Sequence, residues 1–319
     1  MTLIKNLKLD YEFAGYYLLK ELETKHTTNS TLQKKYFDLV LSDSSGQISA
    51  KYWDVNPDET DMFKVMTLVK VKGVVINFRD RLQVKINNIQ NVNSKDNVKI
   101  TDYIRSAPIE ASELINKINL HICQIKDKEI RTIVEFCVKK AKKKLEHYPA
   151  AKIHHHSYFA GLAYHIVRML EIGDFLCNQR PFLNKDFLIA GIILHDIAKT
   201  EEYEASIGVV TDYSTKGKLI GHIVIATNWI LEATILNKLE VNSEKVMLLQ
   251  HLVLSHHNIA EWGSPVQPQL AEAVALHLID SMDAKLQMAE DAINTIPLDE
   301  KWTSSIKGLD NNAMFRQKY

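Results

Sequence analysis

The sequence predicts a multidomain α and β protein, with an N-terminal small β-barrel followed by an all-α domain. Three observations carry this. β-Branched and aromatic residues alternate with polar ones through residue 92. From residue 111 apolar residues recur at intervals of three and four. Eleven of the 13 histidines fall between residues 147 and 277, inside the helical part. The expected boundaries are 1–95 for the barrel, 96–110 for a polar linker, 111–300 for the helical domain and 301–319 for a polar, extended tail.

Bulk composition excludes more than it proposes. Lys+Arg and Asp+Glu balance at 39 each, so net charge gives no argument for nucleic acid. Residues 1–100 tilt mildly basic, with 15 basic and 12 acidic side chains. Cys123, Cys137 and Cys177 show no metal spacing and suit a reducing compartment. No apolar leader or uncharged apolar run of spanning length stands out, so a cytoplasmic protein without a membrane partner is expected.

Five segments make the barrel: GYYLLKELE, KYFDLVLSD, GQISAKYWD, TLVKVKGVVINF and RLQVKINNI. They are rich in strand formers, and SDSSG marks the turn between the second and third. Five strands in so short a span suit an OB-fold, a Greek-key barrel that binds oligonucleotides on one face. Tyr36, Tyr52, Trp53 and Phe78 are candidate stacking residues, with Lys51, Arg79, Arg81 and Lys85 as phosphate contacts. Alternation puts Tyr52 and Trp53 on opposite faces, so at least half of these aromatics are expected to fill the core.

The helical runs are separated by Pro149, Pro181, Pro265 and Pro268, as helix breakers should be. One run, FLIAGIIL, is apolar on every side and is therefore expected to be buried. It ends in His195-Asp196. An adjacent His-Asp occurs about once by chance in such a chain, so the dipeptide counts only in context. The context is His165 upstream and His222, His256, His257 and Asp280 downstream. Burying such groups without partners would cost several kcal/mol each, roughly, and a cation removes that cost. Imidazole with carboxylate suits Mn, Fe or Zn rather than Ca. His277, Asp280 and Asp283 lie on one helix face; either aspartate can ligate, and Asp280, after an apolar run, is expected to be the more buried.

The order H…HD…H…HH…D resembles the HD superfamily of metal-dependent phosphohydrolases. It is closer still to the YhaM-type 3′→5′ exoribonucleases of Gram-positive bacteria, which carry an OB-fold ahead of an all-α HD domain. The segments behind the likeness are HHHSYFAGLAYH, AGIILHDIAKT, LIGHI, VLSHHNIAEWGSPVQP and LHLIDSMDAK, and it covers nearly the whole chain. The resemblance implies that His165, His195, Asp196 and Asp280 hold a first divalent metal. It implies that His222 and His256 hold a second, with Asp196 bridging, and that His257 is a further ligand or phosphate contact. Lys199 matches the family lysine near the scissile phosphate. Ala198 and Asn258 stand where glycines are usual, and neither departure removes a ligand.

The implied chemistry is hydrolysis of single-stranded RNA from its 3′ end to nucleoside 5′-monophosphates by metal-activated water. Mn²⁺ is the metal by resemblance, as one or two ions; Fe, Co or Ni fit the same ligand mix. His155 or His156 is a candidate to protonate the leaving oxygen or hold the phosphate. Single-stranded DNA stays open as a substrate, and the apolar C-terminal helices suit a homo-oligomer. Two other readings stand beside this one: a nucleotide or cyclic-nucleotide phosphohydrolase, and a non-catalytic single-stranded nucleic-acid-binding protein.

Overall fold

The computed structural model describes residues 2–27, 34–53, 55, 62–96, 98, 100–151, 156–206, 208–297 and 300–317. The chain divides into two compact units, Met1–Arg105 and Ser106–Tyr319, each with its own hydrophobic core.

The first unit is a closed barrel of β1 (Glu12–His26), β2 (Lys35–Asp43), β3 (Gly46–Trp53), β4 (Thr67–Phe78) and β5 (Arg81–Asn91). Its order is β1-β2-β3-β5-β4, with β3 and β5 parallel and the other neighbours antiparallel. That is the OB-fold arrangement, and closure leaves no unpaired edge. Alternation sorts β2 cleanly: Phe37, Leu39 and Leu41 point into the core, while Tyr36 and Asp38 face outward. Gly73 sits at a register shift in β4, where a Cβ would lie 2.7 Å from the Lys85 carbonyl oxygen, so the close crossing requires glycine. Asp96 and Tyr103, expected in the linker, pack on this barrel. The Tyr16 hydroxyl donates to Asp96 at 2.9 Å, and the Tyr103 ring meets Tyr16 edge-on.

The second unit is built from α1 (Ala111–Gln124), α2 (Lys128–Leu145), α3 (Gly161–Gln179), α4 (Lys185–Leu194), α5 (Lys199–Glu202), α6 (Thr215–Leu236), α7 (Glu244–Ser255) and α8 (Ala271–Thr295). α4 is its hub. Asn184 caps it by accepting from the amides of Asp186 and Phe187, and Leu188 to Leu194 are all buried. Helices α2, α3, α7 and α8 surround it. Each enclosed Leu or Ile contributes about 1.5–3 kcal/mol, so this short helix anchors the domain. Gly191 permits the packing, since a Cβ there would come within 3.2 Å of Leu252 and 3.3 Å of Leu276.

Three features depart from expectation. A hairpin of β6 (Tyr203–Ser206) and β7 (Val209–Tyr213) interrupts the helices. Its strands are too short to outweigh the helical runs beside them, and Gly208 turns between them with φ +72°. Helix α6 is long and apolar enough, by length and composition alone, to cross a membrane. It is broken at Gly221 (φ 77°, ψ 155°), and Ile223, Ile225, Ala226, Trp229 and Ile230 are buried in the core. The C-terminal segment folds back instead of extending: the Thr303 amide donates to the Met314 carbonyl at 3.0 Å, and Arg316 donates to the carbonyls of Ile296, Pro297 and Glu300.

Gly221 generates a test. Gly221→Ala should cost about 1–2 kcal/mol in urea unfolding, because only glycine takes this backbone freely. An unchanged midpoint would mean that the break is not required.

Candidate metal centre

The break at the end of α4 places the key pair. His195 still has helical dihedrals, and its Nδ1 meets the Ile192 carbonyl at 2.8 Å. Asp196 follows in the turn before α5. His165 comes from α3, His222 from just beyond the Gly221 break, His256 and His257 from the end of α7, and Asp280 from α8. Donor atoms of Asp196, His222, His256 and His257 lie within 4.8 Å of one another, as do those of His165, His195 and Asp280. The structure thus brings together every metal ligand expected from the sequence, His257 included.

The ring orientations are fixed from behind. His195 Nδ1 and His256 Nδ1 face the carbonyls of Ile192 and Val253 at 2.8 and 2.7 Å, and His257 Nδ1 faces the Trp262 carbonyl. A carbonyl only accepts, so each Nδ1 donates, and the neutral ring keeps its lone pair on Nε2. Carboxylates do the same elsewhere: His222 Nδ1 meets Glu202 Oε1 at 3.0 Å, and His165 Nδ1 meets Asp283 Oδ2 at 2.7 Å. The Nε2 atoms turn inward. Asp196 Oδ1 lies 3.3 Å from His222 Nε2 and 3.9 Å from His256 Nε2, and Asp196 Oδ2 lies 3.4 Å from His195 Nε2. The Nε2 atoms of His195, His222 and His256 and Asp196 Oδ1 are buried with no hydrogen-bond partner among the described residues. Lone pairs converging on carboxylates, without donors between them, fit a divalent cation and little else.

Electrostatics agrees. Burial alone would raise the Asp196 carboxyl, but Lys199 and His195 outweigh it and hold it well below the usual range. Burial, with His257 and His195 nearby, pushes His256 down and keeps it neutral. Burial also disfavours charge on His165, yet Asp280 and Asp283 overcome this and push it up to about 10. That corner demands positive charge.

The remaining predicted residues are placed as follows. The Lys199 ammonium sits on Asp196 Oδ2 at 2.7 Å and is nearly enclosed, so it neutralises that carboxylate from behind. His156 is fully buried, with Nε2 on Asp283 Oδ2 and Nδ1 on the Tyr158 hydroxyl, both at 2.7 Å. It therefore stands behind His165 as support, with neither nitrogen open to a leaving group. His155 lies outside the described residues. Asp283, not Asp280, is the more buried aspartate, at 5% against 16% side-chain exposure. Three-residue spacing puts both on one face without saying which meets a cation. Asn258 takes the left-handed backbone usual for glycine (φ 64°), and Ala198 has an ordinary helical one. Sequence reasoning missed Glu202, Tyr158 and the orienting role of Asp283; the only signal was their nearness to the histidine motifs. An open cavity of about 450 Å³ adjoins the centre, with His257, His277 and Asp280 on its wall.

On the barrel, Tyr36 and Trp53 stack across β2 and β3 with centroids 4.6 Å apart. The Lys51 ammonium lies 4.9 Å from the Tyr36 ring and 5.7 Å from those of Trp53 and Phe78. Lys51 is in register with Lys85, Arg79 lies in the β4–β5 turn and Arg81 opens β5. Tyr52 does not join this outer face: it packs against the core beside Phe37, because it alternates with Trp53.

Orienting carboxylates typically alter metal affinity 10–100-fold. Asp283→Ala should therefore weaken divalent-metal binding by about that factor while every inward Nε2 remains. Direct metal titration of the folded variant checks this; wild-type affinity would remove Asp283 from the centre.

Comparison with known proteins agrees with this geometry. Residues 162–285 match the HD domain family. The chain is 39% identical over 305 residues to a 3′-5′ exoribonuclease YhaM of Shouchella clausii, covering 96% of this chain and 93% of that protein. It is 38% identical over 308 residues to YhaM of Bacillus subtilis, covering 97% and 96%. Against YhaM of Oceanobacillus iheyensis it is 40% identical over 309 residues, covering 97% and 95%. The second OB-fold domain of replication protein A from Methanococcus maripaludis, 18% identical, covers 28% of this chain and 93% of its own; its TM-score of 0.25 adds nothing to the argument from strand order. With its OB-fold barrel, its divalent-metal-binding HD domain and relatives matched nearly end to end, the chain belongs to the YhaM family.

Proposed function

We propose that this protein is a 3′→5′ exoribonuclease that hydrolyses single-stranded RNA to nucleoside 5′-monophosphates with Mn²⁺. The observation that carries the reading is the converging set of Nε2 atoms around Asp196, every ring held from behind. A divalent metal bound there supplies Lewis-acid neutralisation of phosphate oxygens and lowers the pKa of water. The chain's own residues do the rest. Glu202 and Asp283 fix the rings of His222 and His165. Lys199 keeps Asp196 ionised. His257 and Asp280 stand where the centre meets the open cavity, within reach of a phosphate. Imidazole and carboxylate together suit Mn, and Fe, Co or Ni as well.

The barrel supports the strand-holding half of the reading. Tyr36, Trp53 and Phe78 offer ring faces, and Lys51, Lys85, Arg79 and Arg81 offer charge. Lys51 and Lys85 side by side repel each other unless an anion lies across them. A free nucleotide needs no such platform, which disfavours a nucleotide phosphohydrolase.

The test is a 5′-labelled single-stranded RNA with Mn²⁺, beside a DNA strand of the same sequence. The wild type should yield a ladder shrinking from the 3′ end, abolished by chelator. Asp196→Asn keeps the shape beside buried Lys199 and should lower turnover by more than about a hundredfold. Tight binding without cleavage would overturn the enzyme reading. Base stacking is worth about 1–3 kcal/mol per base, so Trp53→Ala should weaken RNA binding about tenfold. Filter binding checks it, and unchanged affinity would move the strand off this face.

A further inference from the structure

We infer that the cavity beside the metal centre receives the terminal nucleoside 5′-phosphate of the strand, and that the C-terminal segment completes this subsite through Lys307. The inference rests on the exonuclease reading and names where that reaction's leaving nucleotide sits. The cavity, about 450 Å³, falls within the usual size of small-molecule sites, about 300–1,000 Å³. Asp280 and His257 connect it to the centre. Its other walls are chemically distinct. Trp262 presents a large indole that is 59% exposed, and Met288 adds a polarisable thioether. Lys285 and Lys307 line the same space, and among the described residues neither forms an ion pair. A ring face, a soft apolar wall and two uncommitted cations beside a metal centre match a base with its phosphate.

The position of Lys307 is built, although its side chain is exposed. The polar segment 300–317 is tied down at both ends. Arg316 gathers three carbonyls at the end of α8, Trp302 meets Phe315 edge-on at 5.1 Å, and Ile306 bridges Asn312. The turn at Lys307–Leu309 rests on α8, with Gly308 so close that a Cβ would lie 2.4 Å from the Met288 sulfur. Such a short polar segment buries little apolar area of its own. Its packing instead delivers one cation to the cavity rim. Stacking on Trp262 and charge from Lys285 and Lys307 read no base edge, so the subsite accepts any base.

Calorimetric titration of the full-length, Mn²⁺-loaded protein with AMP and with adenosine tests this. Lys307→Ala removes a charged hydrogen-bond donor to the phosphate and should weaken AMP about tenfold or more. Adenosine, which lacks the phosphate, should change by less than about twofold, and Lys307→Arg should restore AMP. Trp262→Ala should weaken both ligands. Equal loss of both ligands in Lys307→Ala, without rescue by arginine, would mean a structural role and overturn the assignment. Wild-type AMP affinity in both alanine variants, with RNA still shortened, would sink the subsite and leave the exonuclease reading intact. A wild type that binds AMP but does not shorten RNA would overturn both.

Discussion

The helical domain is organised around one unfavourable act: enclosing Asp196, Asp280 and Asp283 among imidazoles. Each buried carboxylate costs several kcal/mol, roughly, unless positive charge stands beside it. Lys199 answers Asp196, and His165 sits between Asp280 and Asp283. The rings cannot supply further charge without giving up the lone pairs that their Nδ1 bonds have turned inward. Burial, with His257 and His195 beside it, pushes His256 toward its neutral form. A divalent cation fits this balance, at the point where five helices deliver their side chains.

The backbone irregularities of the domain coincide with the ligands. Helix α4 ends with His195 as its still-helical cap, and Asp196 follows in the turn beyond it. The break at Gly221 exposes the His222 amide, and Glu202 Oε1 accepts from both that amide and the ring. Asn258 turns the chain in a left-handed conformation directly after His257. A regular helix would carry these side chains past the centre at fixed angular steps. Interrupting it lets rings from separate elements meet at one point, with buried α4 as the fixed reference.

Much of this was legible. Strand alternation marked the barrel, and the inward and outward faces of β2 follow it residue by residue. The wholly apolar run before His195 announced a buried helix whose polar end had to be compensated. What escaped reading depended on tertiary distance. Nothing local distinguishes Asp283 from Asp280, one turn apart, yet one orients a histidine and the other faces the centre. His156 looked like part of an open histidine run, and burial against Asp283 and Tyr158 decided otherwise. The tail looked extended because its order comes from Arg316 and from α8, neither of which shows in its composition.

On the proposed function, the side chains that would meet the strand share a property that suits stepwise shortening. After each cut the strand must advance by one nucleotide, and every contact must be re-formed with a different base. A bidentate base-edge contact discriminates by about 1–3 kcal/mol, which would trap some registers about tenfold longer than others. Ring faces and ammonium groups meet every nucleotide alike. Tyr36, Trp53 and Phe78 with Lys51 on the barrel, and Trp262 with Lys285 and Lys307 on the helical domain, are of this kind. Asp38, which follows Phe37 on β2 and is in register with Lys51, has its Oδ2 on the Lys25 ammonium at 2.7 Å. On that proposal each unit would meet what repeats along a strand, its phosphates and π-faces, and leave its sequence unread.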